Sequence, residues 1–245
     1  MTPRYALVTG ASRGIGAAIA RRLAAEGYAL TITARREAAL REVAAQLEAA
    51  GAPVHSVTGD MALEDDVRRV ASEHLERYPA LHVLVLNAGM AVAGELASYP
   101  LRRLDRLFAI NVRAPFALVQ ACLPALREAA AADPDRGAKV VAIASISGVV
   151  SEPQLAAYGA TKAALISLCQ SIAAEESRRG VSATAISPGY VDTDMGAWAS
   201  DRVDPSAMLD VADVAEMVVA VTRLSARAVV PHLVLARAGE NLWRA

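Results

Sequence analysis

Thr9-Gly10-Ala11-Ser12-Arg13-Gly14-Ile15-Gly16 is the stretch on which the reading of the fold turns. A short aliphatic run, Tyr5–Thr9, leads into it, and an amphipathic run, Ile15–Glu26, leads out. That order predicts a strand, a tight turn and a helix. Glycines without Cβ let the backbone of such a turn approach a pyrophosphate, while the helix N-terminus offers its unpaired N–H groups. The spacing is G-x3-G-x-G rather than the commoner G-x-G-x-x-G, and glycine also ends strands for purely structural reasons. Its position between the first strand and the first helix favours dinucleotide binding.

The same alternation continues outward. Further strands are predicted at Ala29–Ala34, Pro53–Thr58, Val83–Leu86, Lys139–Ala144, Ser182–Ile186 and Val229–Leu235. Helical stretches lie near Arg36–Ala50, Leu63–Arg77, Leu101–Ala131, Ala156–Arg179 and Val211–Leu224. Strands of β-branched and aliphatic residues alternating with helices imply a parallel sheet covered on both faces. Pro115 and Pro124 predict a kink or break in the long 101–131 helix. The irregular 190–210 stretch, with Tyr190, Gly196, Trp198 and Pro205, is expected to be a lid or substrate loop. No linker divides the chain, so residues 1–245 are expected to form one domain.

Composition narrows the function. Hydrophobic residues make up 54% of the 245 and aromatics 4%, which suits closely packed helices on an aliphatic sheet. A net charge of −1, with no basic run, argues against a nucleic-acid partner. No uninterrupted apolar run approaches the ~18 residues of a membrane span, and no secretory leader is evident, so the cytoplasm is the expected location. Cys122 and Cys169 are read as core thiols. His55, His74, His82 and His232 share no motif, and no metal site is expected.

The end of the second strand bears on the choice of coenzyme. NAD-binding proteins usually place an acid there for the ribose hydroxyls. The run from Gly27 to Arg36 holds none and ends Thr33-Ala34-Arg35-Arg36. Arg35, with Arg13 closing from the glycine turn, suits a 2′-phosphate and hence NADP(H). The plainer alternative is that both arginines simply face solvent.

Farther along, Tyr158 and Lys162 stand four apart on a predicted helix and so share a face. An ammonium beside a phenol favours the phenolate, and Lys162 is expected to draw Tyr158 down from its ordinary ~10. Ser145 lies 13 residues before Tyr158, just past the fifth strand, at the sheet edge where ligands bind. Ser147 is its rival. Thr193, after Pro188-Gly189, is either a coenzyme ligand or, with Asp194, a helix cap.

Together these pieces resemble the classical short-chain dehydrogenase/reductase family, and the resemblance covers almost the whole chain, from Thr9 to about Thr193. Its T-G-x3-G-x-G turn is matched by Thr9 to Gly16, and its N-A-G by Asn87-Ala88-Gly89. Its helix asparagine is matched by Asn111, its serine by Ser145, its Y-x3-K by Tyr158 to Lys162 and its P-G by Pro188-Gly189. The resemblance implies a Rossmann-type doubly wound α/β fold, a seven-stranded parallel sheet in the order 3-2-1-4-5-6-7. It implies that Ser145, Tyr158, Lys162 and Asn111 are catalytic, Asn111 by positioning a relay water. NADP(H) would be held by Gly10, Ser12, Arg13, Gly14, Ile15 and Gly16 at the turn, and by Arg35, Asp60 and Met61 around the adenosine. Asn87, Ala88, Gly89, Tyr158, Lys162, Pro188, Gly189, Val191 and Thr193 complete the implied set.

The implied activity is hydride transfer between the nicotinamide and a small carbonyl or alcohol, nearest to 3-oxoacyl-carrier-protein reductases. Sugar, polyol or steroid alcohol oxidation is the alternative, and a non-catalytic NADP-binding regulator is a reading from another class. The ending from Leu233 to Ala245 departs from the family's usual close, and an exposed Leu242-Trp243 tail would suit a homo-oligomer, a dimer or tetramer.

Overall fold

The computed structural model describes residues 3–193 and 203–239. Seven parallel strands form one sheet in the order β3-β2-β1-β4-β5-β6-β7, the order that the family resemblance implies. They are β1 (Arg4–Thr9), β2 (Tyr28–Ala34), β3 (Val54–Thr58), β4 (Val83–Leu86), β5 (Ala138–Ile143), β6 (Val181–Pro188) and β7 (His232–Leu235). The helices are α1 (Gly14–Ala25), α2 (Glu37–Ala49), α3 (Glu64–Arg77), α4 (Leu101–Phe108), α5 (Ala114–Ala132), α6 (Ala156–Glu176) and α7 (Val211–Thr222).

The period of two along each strand sends alternate side chains to two separate cores. On β1, Ala6 and Val8 join the side chains of α1, α2 and α7 on one face, while Leu7 joins α3, α5 and α6 on the other. On β4, Val83 and Val85 go one way and Leu84 and Leu86 the other. Cys122 and Cys169 are both buried in the α3–α5–α6 layer as free thiols.

Most boundaries shift by a residue or two, and two departures from the sequence reading have a clear physical cause. The last strand begins at His232 rather than Val229, because Pro231 has no N–H for the ladder, though its carbonyl accepts from Ala185 N at 3.1 Å. The expected break at Pro115 is instead a continuous run, Leu101–Ala132, with a π-helical turn at Ala109–Arg113. The wider turn shifts the hydrogen-bond ladder just where Pro115 enters α5 without a donor, and Pro124 is carried inside the helix. By length and hydropathy this run is apolar enough to cross a membrane, yet Leu118, Val119, Cys122 and Leu126 are packed in the core.

The core also holds two neutral imidazoles. His74 packs Nδ1 against Thr31 Oγ1 at 2.8 Å, and His82 Nδ1 accepts from Tyr5 N at 3.1 Å. Burial pushes both rings down to about 4 from 6.5. Each ring therefore binds a proton more readily unfolded than folded, so the stability it contributes is full above pH 6.5 and lost as pH falls through 4. At ~1.4 kcal/mol per unit, each costs roughly 3 kcal/mol by the end of that window. The urea midpoint should drop clearly between pH 7 and pH 4.5; equal midpoints would contradict the burial of neutral rings.

Candidate active site

β1 pairs with β2 on one side and β4 on the other, so the strand order reverses at this point and a crevice opens beyond the strand ends. The Gly10–Gly16 turn fills one lip of it. Gly10 has φ +68, and a Cβ there would lie 2.8 Å from Asn87 Nδ2 and 2.9 Å from Ala88 Cα. A Cβ on Gly16 would lie 2.3 Å from Gly10 O. Only bare backbone fits this packing. α1 starts at Gly14 with no side-chain cap and no acid in its first turn. Its first N–H groups are the kind of unfilled donors that receive an anion.

A strut that the sequence reading missed holds the turn in place. Thr9 Oγ1 donates to Val85 O at 3.1 Å and accepts from Asn87 N at 3.0 Å and Ala88 N at 2.9 Å. The Asn87 amide donates to Thr9 O at 2.9 Å and Gly10 O at 3.1 Å. Asn87 thus shapes the phosphate turn from behind. Only the strand register, which joins residues 78 apart, reveals this role for Thr9.

Arg35 and Arg36 are exposed at the tip of β2 and line the same cleft, as does Arg13. Asp60, at the tip of β3, turns its carboxylate back to Ala62 N at 2.9 Å and lies 3.5 Å from Arg106. The β2 tip therefore presents cations and no acid.

Across the crevice, Ser145 follows β5 in extended backbone, with its Oγ accepting from Ser147 N at 3.2 Å. Its hydroxyl and the Tyr158 phenol line the same cleft. Lys162 Nζ is 5.6 Å from the Tyr158 ring centre and donates to Ile143 O at 2.8 Å. Gly148 lets this turn press on α6, since a Cβ there would lie 2.8 Å from Ala163 N and from Lys162 C. The geometry thus brings Ser145, Tyr158 and Lys162 together.

Their electrostatics differ from the sequence expectation. Burial pushes the Tyr158 phenol up to about 12; the Glu152 carboxylate adds to the rise and the Ser145 hydrogen bond opposes it. Burial also lowers Lys162 to about 8. Desolvation, not the ammonium, sets the direction, and at neutral pH Tyr158 is a protonated phenol.

Asn111, in the π-helical turn, is 1% exposed and does not line the cleft. Its Oδ1 accepts from Met90 N at 2.9 Å, and its Nδ2 donates to Met90 O and Thr161 Oγ1, each at 2.9 Å. The side chain braces the Asn87–Met90 loop against α6. Gly89 leaves the space between, for a Cβ there would lie 3.4 Å from Lys162 Nζ.

Gly189 N donates to Leu235 O at 2.9 Å, and Val191 bridges to Leu209. Thr193 Oγ1 donates to Val191 O at 3.3 Å, and its methyl lies 3.4 Å from where a Gly14 Cβ would be. This segment leans over the glycine turn. Tyr190 walls the cleft, with its hydroxyl 3.2 and 3.3 Å from the two Glu152 carboxylate oxygens. Asp194, Met195, Trp198 and the Leu242-Trp243 tail lie outside the described residues. Every residue that the sequence reading assigned to the coenzyme, from Gly10 to Thr193, lines one cleft of about 600 Å³.

The family model for short chain dehydrogenases matches residues 4–203. An uncharacterized oxidoreductase of Staphylococcus epidermidis is 32% identical over 192 residues, 78% of this chain and 80% of its own length. A 3-oxoacyl-[acyl-carrier-protein] reductase of Staphylococcus aureus is 32% identical over 201 residues, 82% of this chain and 79% of that protein. Among solved structures, a short chain dehydrogenase from Burkholderia cenocepacia in complex with NADP superposes with a TM-score of 0.84. It is 32% identical, with 95% of this chain and 96% of the other covered.

Proposed function

The chain belongs to the short chain dehydrogenase family of oxidoreductases, and from that premise we propose that it is an NADP(H)-dependent enzyme interconverting a small carbonyl compound and its alcohol. One observation carries this reading: Ser145, Tyr158 and Lys162 line one cleft with an uncapped helix N-terminus behind bare glycine backbone. The NADP held by the similar Burkholderia protein supports the choice of coenzyme.

The residues present fit that group. The Gly10–Gly16 turn would take the diphosphate on its N–H groups, and Arg35 and Arg13 the 2′-phosphate. Asp60 and Met61 would border the adenine and Lys162 and Val191 the nicotinamide half, Thr193, beside Gly14, would meet the nicotinamide or the phosphates, and Asn87, Ala88, Gly89, Pro188 and Gly189 would complete the wall. When bound, the coenzyme supplies or accepts the hydride. Ser145 holds the substrate oxygen by its hydroxyl, and Tyr158 delivers a proton to that oxygen in reduction or removes one in oxidation. With its phenol near 12, Tyr158 is in the acid form that reduction requires at neutral pH. Lys162, donating to Ile143 O, is held where its charge favours the phenolate once the proton has left. Asn111 keeps Lys162 and the Asn87–Met90 loop in register.

Assembly into a dimer or tetramer is supported by Leu101, Phe108 and Phe116, exposed on the α4–α5 run. The two buried free thiols suit a reducing compartment such as the cytoplasm.

The coenzyme assignment is tested by Arg35→Ala. Loss of a forked, charge-assisted contact should weaken NADPH by roughly 10- to 100-fold and leave NADH within about threefold. Nicotinamide fluorescence titrations measure both; equal losses would contradict a 2′-phosphate role.

A further inference from the structure

We propose that Glu152 is a specificity-determining residue whose carboxylate sets a negative charge at the substrate end of the cleft, so that the preferred carbonyl compounds carry no anionic group close to the reacting carbon. This role rests on the hydride-transfer reading above and adds the electrostatic class of the substrate to it.

The charges that line the cleft are divided between its two sides. Arg13, Arg21, Arg35 and Arg36 all belong to the β1–α1–β2 side, where the phosphates of the coenzyme would lie. The opposite side is built from β5, α6 and the segment after β6, and there Ser145 and Tyr158 would hold the substrate. Among the described residues that line the cleft on that side, Lys162 is the one cation and Asp192 the one acid. Lys162 is anchored by its hydrogen bond to Ile143 O at 2.8 Å, and burial lowers it to about 8. No arginine on that side offers a fork to a substrate carboxylate.

Glu152 adds a further acid just behind this wall. It lies in the loop that leads from the Ser145–Gly148 turn into α6, six residues before Tyr158. The Tyr190 hydroxyl is one of its partners, at 3.2 and 3.3 Å from the two carboxylate oxygens. Tyr190 lines the cleft and is only 8% exposed, so the contact fixes the carboxylate against the back of the cleft wall. The loop itself is pinned, since Gly94 N donates to Gln154 O at 2.9 Å and Leu155 N to Glu152 O at 3.2 Å. The field of the carboxylate reaches the reacting end of the cleft, where it raises the Tyr158 phenol. A charge that disfavours a phenolate there disfavours a substrate carboxylate held beside that phenol for the same reason, and favours an ammonium.

The test compares kcat/KM, with NADPH and at low ionic strength, for three ketones that differ in one group at the same position: a carboxylate, a carboxamide or an ammonium. The native chain should turn over the carboxamide and the ammonium compound better than the carboxylate. Glu152→Gln keeps the shape of the side chain and an acceptor for the Tyr190 hydroxyl. In this variant kcat/KM for the carboxylate should rise about five- to tenfold relative to the carboxamide, and that for the ammonium compound should fall by a similar factor. Glu152→Asp keeps the charge and should keep the native order. A native preference for the carboxylate, or ratios unchanged in Glu152→Gln, would overturn the proposal. So would a change shared equally by all three compounds, which is what lost packing alone would give. If the native chain binds NADPH but turns over no carbonyl compound, the hydride-transfer reading itself fails, and this proposal with it.

Discussion

Tyr158→Phe is expected to lower kcat by roughly 10²- to 10⁴-fold, the range set by removal of a positioned proton donor. The substitution deletes one oxygen and keeps the ring that stands 5.6 Å from Lys162 Nζ, so the fold and the NADPH affinity should change little. What is lost is the hydroxyl that shares the cleft with Ser145 and is held protonated by burial. Turnover at the nicotinamide absorbance and NADPH titration by fluorescence separate the two effects. Substantial residual activity would show that the substrate proton comes from elsewhere.

The second large effect is expected at the opposite lip of the cleft. In Gly16→Ala the new Cβ would meet Gly10 O at 2.3 Å and Asn87 Nδ2 at 2.4 Å. Neither neighbour can yield freely, because the Asn87 amide is bonded to both Thr9 O and Gly10 O. The turn must open, at ~1–3 kcal/mol of overpacking, and its N–H groups lose their common aim. NADPH affinity should fall about 100-fold or more, with a Tm lowered by several degrees. Unchanged affinity would mean that the diphosphate does not sit there.

These two sites show what could be read from the chain alone. The glycine turn and the Tyr158–Lys162 pair were legible because each is a local pattern: a strand-to-helix corner in one case, one helix face in the other. The parallel sheet followed from the strand–helix alternation, and the strand order from the family resemblance. The support behind these residues was not legible, since it depends on contacts across the sheet. Thr9 gave no sign that its hydroxyl would tie β1 to the loop after β4, nor Asn111 that its amide would be spent on Met90 and Thr161. The direction of the Tyr158 shift was misjudged for the same reason. A sequence shows that a lysine is near, but burial, which dominates here, belongs to the folded cleft. Pro115 misled in a different way: a proline predicts trouble for a helix, and the fold met it one turn earlier with a π-helical turn.

The central claim is that one cleft sets a phenol, an amine and a hydroxyl around a nicotinamide whose diphosphate lies on the backbone of residues 10–16. A crystal structure of the chain soaked with NADPH tests this most directly. It should show the diphosphate against the α1 N-terminus, Arg35 at the 2′-phosphate and the nicotinamide ring facing Tyr158 Oη. Density for the coenzyme elsewhere, or a ring turned away from that oxygen, would contradict the account.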